Sequence, residues 1–206
     1  MNQTIEDLKS RRSIRKFKDE QISDEDLNTI LEAGTYAPTG RGAQSPKIVV
    51  IQNPDTIKEF SAWNRSFFPV DVPEDMDPFY GAKTLLIVLA DSELPTYVED
   101  GASVLCVLVN AAHAVGVGSC WIHRARDEFE SEKGKSLLKE WGIPESYEGI
   151  GHVVLGYPDM DARSHFQEKK IIFTLWIKSY FFSFLKIIFL INSVFLSKKH
   201  IKTSES

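Results

Sequence analysis

Cysteine is scarce in this chain. Only Cys106 and Cys120 occur among its 206 residues, so no disulfide framework is encoded and a reducing, cytoplasmic setting is expected. The opening residues, MNQTIEDLKSRRS, hold no apolar run, and no secretory signal is expected. A basic excess is lacking too: the net charge of −5 leaves no electrostatic reason to expect nucleic acid as a partner. The five histidines, His113, His123, His152, His165 and His200, keep no metal-ligand spacing with cysteines or carboxylates, so no metal site is expected. The chain also lacks a G-x-S-x-G elbow, a Gly-Lys-Ser/Thr phosphate loop and any internal repeat. With 43% hydrophobic and 11% aromatic residues it does have the material for one well-packed core.

That composition is not uniform. Residues 1–162 carry 16 Lys and Arg against 27 Asp and Glu, whereas residues 163–206 carry 8 against 2. From Ser164 onward there is no Gly, Ala, Pro, Asp, Cys or Met, yet 7 of the 13 Phe fall there. Two segments are therefore expected: a folded domain over 1–162 and an atypical apolar and basic tail over 163–206.

Within the first segment, Thr4 with Asp7 reads as a helix start, and Ser23 with Asp26 as a second one whose helix Gly34 ends. The stretch APTGRGAQSP, Ala37 to Pro46, reads as an ordered turn leading to a strand at 47–51. Asn53-Pro54 opens a helix over about 54–63. Residues 64–81 then form a long loop of the kind that often serves as a lid. The uniformly apolar run TLLIVLA, 84–90, fits a strand covered on both faces. Residues 100–115 read as a buried central helix, 117–122 as a strand, 128–141 as an amphipathic helix and 149–155 as a last strand. Irregular alternation of helices and strands gives an α+β or mixed α/β class.

Three stretches carry candidate chemistry. RRSIR puts Arg11, Arg12, Ser13 and Arg15 within five residues, and forked guanidiniums beside a hydroxyl suit phosphate oxygens, although a solvated helix end would look the same. In the 37–46 turn, glycines permit close backbone approach to a flat ligand and Gln44 offers both a donor and an acceptor. GVGSCWIHR, 116–124, ends an apolar strand with free backbone amides beside a buried helix. Cys120, flanked by apolar residues, reads as a small hydrophobe rather than a nucleophile, and His123 as a surface histidine or as a base depressed by Arg124.

Taken in order, RRSIRKF at Arg11, APTGRGAQSP at Ala37, GVGSCWI at Gly116 and GIGHVVLGYP at Gly149 resemble the landmarks of the FMN-dependent nitroreductase family over about residues 3–160. The resemblance implies an α+β fold with a central mixed β-sheet flanked by helices, in a homodimer with FMN at the subunit interface. It further implies that Arg11, Arg12, Ser13 and Arg15 hold the FMN phosphate and ribityl chain. Pro38, Thr39 and Gly40 would line the flavin from the partner subunit, Gln44 would match the family glutamine, and the backbone of Trp121, Ile122 and His123 would meet the ring edge near N5. Many relatives carry asparagine where this chain has Gly42. No protein side chain is then expected to be catalytic, since the chemistry sits on the flavin. NAD(P)H would reduce FMN, and a nitroaromatic, quinone or similar small acceptor would take the electrons by a ping-pong cycle.

The resemblance stops near Asp161. Relatives usually continue with a basic, proline-containing segment that completes the phosphate site, whereas here an apolar run extends from Ile171 to Leu196, broken by Lys178 and Lys186. Three readings stand beside one another: a membrane anchor within 171–196, a partner-binding helix, and the favoured one, translation from a shifted frame or a lost stop codon. The 18 residues from Ser179 to Leu196 hold one charge, Lys186, near the middle of a span that needs about 20 apolar residues. Phe, Ile, Leu, Lys, Ser and Asn in excess is what AT-rich codons produce. Weak FMN retention and poor solubility are the expected consequences. The alternative functions are a flavin-binding protein with impaired turnover and a membrane-attached reductase.

Overall fold

The computed structural model describes residues 2–160. The apolar run 171–196, with every reading attached to it, lies outside them. Among the described residues no helix is long and apolar enough to cross a membrane.

Helix α1 (Gln3–Ser10) is followed by α2 (Asp24–Thr35), strand β1 (Lys47–Ile51), α3 (Pro54–Ser66) and β2 (Thr84–Asp91). Then come α4 (Tyr97–Ala114), β3 (Gly118–Ile122), α5 (Ala125–Glu130), α6 (Glu132–Glu140) and β4 (Tyr147–Gly156). The strands lie in the order β1-β2-β4-β3 and all three pairings are antiparallel. The parallel contribution is a bridge from Ser13 to Ser119, which adds the N-terminal segment to the free side of β3. The class is α+β, as expected.

The two faces of the sheet follow from the two-residue period of β2, which is buried on both sides. Leu86 and Val88 pack with Ile30 of α2 and Leu105 and Leu108 of α4. Leu85, Ile87 and Leu89 face the other way, against Ile57 and Phe60 of α3, Phe129 of α5 and Leu138 of α6. Each such side chain contributes about 1.5–3 kcal/mol of burial free energy, so β2 is the thermodynamic centre of the domain.

Several local expectations change. Asn2, not Thr4, caps α1, its side chain accepting from the Thr4 N–H. Gly34 does not stop α2. It sits buried inside the last turn, where a Cβ would come within 2.8 Å of Leu108 Cδ2. Helix α3 runs on to Ser66, so the loop begins at Phe67. The single helix expected over 128–141 is two, because Ser131 adopts an extended conformation, closes α5 through its hydroxyl on the Glu128 carbonyl and caps α6 at the Gly134 N–H. The Ser23 and Asn53 caps stand as read from the sequence, each accepting from the N–H three residues on.

Candidate functional site

After α1 the chain straightens and is strapped down on both sides. Ile14 N–H donates to the Ser119 carbonyl at 2.9 Å, Lys18 N–H to Tyr157 at 2.9 Å, and Asp159 N–H to Lys16 at 3.0 Å. An ion pair of 2.7 Å joins Lys16 to Asp159. Alternation along this extended segment sorts the RRSIR run. Ile14 turns into the core, which leaves Ser13 and Arg15 on the other side of the segment, and Cys120 of β3 feels the charges of Arg15 and Arg11 and a Ser13 hydrogen bond. Burial is the dominant influence on that thiol and pushes it up, against the Arg15 guanidinium, a Ser13 hydrogen bond and Arg11. Cys120 is therefore held as a buried thiol, not a nucleophile. Arg12 differs from its neighbours: its guanidinium turns back to the carbonyls of Lys9 (2.8 Å) and Arg11 (2.7 Å) at the end of α1. A face with two guanidiniums and a hydroxyl, fixed to a sheet edge by backbone bonds, fits a phosphate group.

The same strand leads to the second cluster. Trp121 is 43% exposed, and its indole lies over Gly151, where a Cβ would stand 2.6 Å from Nε1. Ile122 is buried. His123 follows the strand, and Arg124 takes φ +82°, a left-handed conformation, before α5 begins. The Arg124 guanidinium stacks 3.5 Å from the centre of the Phe68 ring, at the start of the long loop. Beneath this turn lies a polar group that sequence reasoning missed. Asn64 Nδ2 donates to the His123 carbonyl (2.9 Å) and to Glu128 (2.7 Å), and the other Glu128 oxygen pairs with His152 Nε2 at 2.7 Å. Asn64, Glu128 and His152 are all fully buried. The one visible signal was a histidine inside the apolar run GHVVLG.

The 37–46 turn makes its described contacts elsewhere. Gly40 N–H donates to Asp100 at 2.7 Å, and Thr96 donates to the other Asp100 oxygen at 3.0 Å. Asp100 is 3% exposed in the first turn of α4 and was also missed, being an acid at the head of a helix read only for its apolar character. Gly40 is required here because a Cβ would collide with Thr96. Thr39 Oγ1 accepts from the Gln44 N–H at 3.0 Å, and Arg41, Gly42 and Gln44 all have positive φ, so the loop is tightly coiled. Pro38 and Gln44 remain exposed. The turn borders an open concavity of about 890 Å³, lined among others by Glu32, Tyr36, Thr39, Gln44 and Ile48. The RRSIR segment and Trp121–His123 thus share β3, whereas the 37–46 turn is tied to α4 through Gly40 and leaves Pro38 and Gln44 exposed.

The model of the Nitroreductase family matches residues 8–157. An Archaeoglobus fulgidus protein, described as a candidate NADH dehydrogenase/NAD(P)H nitroreductase, is 31% identical over 163 residues, covering 77% of this chain and 87% of its own. Among solved structures, a Bacteroides fragilis nitroreductase with bound FMN superposes with a TM-score of 0.74 at 28% identity, covering 87% of this chain and 100% of its own. An FMN-dependent nitroreductase from Clostridium difficile gives a TM-score of 0.75 at 28% identity, covering 85% and 99%.

Proposed function

From the membership of this chain in the nitroreductase family, shown over residues 8–157, we propose that it is an FMN-dependent oxidoreductase that takes electrons from NAD(P)H and passes them to a nitroaromatic, quinone or similar small acceptor. The observation that supports this reading is the attachment of the Arg11–Arg15 segment, through the Ser13–Ser119 bridge and the Ile14 N–H bond to Ser119, to the same strand that ends in the Trp121–His123 backbone. Beside β3 the chain offers anion donors and at its end a polar backbone edge, which are the two needs of a phosphorylated ring cofactor.

In this reading Arg11, Ser13 and Arg15 hold the phosphate and ribityl chain, with Arg12 supporting them by closing α1. Trp121, Ile122 and His123 set the backbone at the ring edge. Bound FMN would supply hydride acceptance and donation at one ring face, visited in turn by reductant and acceptor in a ping-pong order. The exposed outer side of Pro38, Thr39, Gly40 and Gln44 would line the ring of a second copy, making a homodimer the working unit. Residues 1–162 would form this domain. A cytoplasmic location accords with the reducing setting inferred from two free cysteines.

The test is direct. Supplied with FMN, the purified chain should bind it, show oxidised-flavin absorbance and, without oxygen, turn over NADH or NADPH repeatedly only when a nitroaromatic or quinone is supplied. A chain that binds no FMN at micromolar concentration would overturn the proposal.

A further inference from the structure

Resting on the flavoprotein reading above, the geometry points to Asn64, braced by Glu128 and His152, as a positioning residue that sets the His123–Arg124 peptide for the flavin edge. A trans peptide places the N–H of one residue opposite the carbonyl of the one before, and no cis bond occurs among the described residues. Asn64 draws the His123 carbonyl inward, so the Arg124 N–H is turned outward, away from α3. That N–H makes none of the described backbone hydrogen bonds. The outward-facing donor stands at the end of β3 where the ring edge is placed.

The orientation is over-determined. Both neighbours of the Asn64 amide, the His123 carbonyl and the Glu128 carboxylate, are acceptors, so only the Nδ2 group can face them. His152 on β4 lies beside Ile122 in the sheet register and holds Glu128 from the far side. The link thus runs from β4 through α5 and α3 to a single carbonyl. Arg124 is a non-glycine residue at φ +82°, which costs about 1 kcal/mol or more and persists only where its surroundings enforce it. The enforcing contacts are the Asn64 bond on one side and the Phe68 ring under the guanidinium on the other.

The experiment uses the full chain and reads amide exchange at Arg124 with and without FMN. In the wild type, FMN should slow exchange of the Arg124 amide at least tenfold. Asn64→Ala should lose most of that protection and bind FMN about tenfold more weakly, with the β2 amides unchanged. If Asn64→Ala does not fold, the wild-type exchange decides. FMN binding with no change at Arg124, or an Asn64→Ala protein with wild-type protection, overturns this inference and leaves the flavoprotein reading intact. A wild type that takes up no FMN overturns the flavoprotein reading itself.

Discussion

Gly40 and Asp100, sixty residues apart, meet through a 2.7 Å hydrogen bond from the glycine N–H to the carboxylate, and this single contact ties the 37–46 turn to the head of the central helix. Asp100 is buried and its second oxygen accepts from Thr96, so both oxygens are engaged. Asp100→Ala would strand two donors, each worth about 1–3 kcal/mol when left unsatisfied, and should destabilise the domain by about 2–6 kcal/mol. Chemical denaturation measures the loss, and exchange at the Gly40 amide should rise more than exchange in β2.

Gly34→Ala tests whether that glycine packs a helix or ends it. Alanine gains about 1 kcal/mol of helix propensity, but its Cβ would press on Leu108 Cδ2 at 2.8 Å and Ile48 Cδ1 at 3.1 Å. Overpacking costs about 1–3 kcal/mol, so a net loss of about 1 kcal/mol is expected in the unfolding free energy. A stabilised variant would show that α2 was simply waiting for a better helix former.

Arg15→Ala should weaken FMN binding about 10- to 100-fold, since a charge-assisted bond contributes about 1.5–3 kcal/mol. Arg15→Lys should recover only part of this, because an ammonium lacks the planar fork. Fluorescence titration of FMN against each variant, at two salt concentrations, checks both statements.

His113 gives a pH dependence with a defined sign. Its ring, 2.8 Å from the Ser10 hydroxyl, is lowered from the usual 6.5 chiefly by burial, with Asp7 opposing and Arg11 and Arg12 adding to the effect. A base depressed on folding binds fewer protons in the native state, so its contribution is complete above about pH 6.5 and is lost as pH falls through the native value. The urea midpoint should therefore drop between pH 7.5 and pH 5, and His113→Gln should flatten that drop.

Cys120 should resist alkylation in the native protein, because burial keeps the thiol protonated against the pull of Arg15 and Arg11. Reaction with iodoacetamide at pH 7.5 should be at least tenfold slower than in the urea-unfolded chain. Equal rates would mean that the strap from Ser13 to Ser119 opens readily.

Much of the architecture was legible because it is encoded locally. The Ser23 and Asn53 caps, the two-sided burial of TLLIVLA and the strand at Lys47–Ile51 depend on neighbours within one or two turns. The break at Ser131 was not legible, since amphipathic spacing runs through it and the serine caps two helices at once. Of the site, the RRSIR run was visible, but not that Arg12 turns back to α1 while Ser13 and Ile14 strap the segment to Ser119 of β3.

Local order along the chain is enough for the inventory: which segments are helix or strand, where most of them are capped, and which runs carry cations, glycines and a strand-end backbone. Those are properties of adjacent residues. Which polar groups are buried, and what they hold, emerges from the fold, as Asp100 holds Gly40 and Asn64 holds His123. A buried polar group is tolerable only when distant parts of the chain meet it with the complementary donor or acceptor, and no local pattern records that meeting.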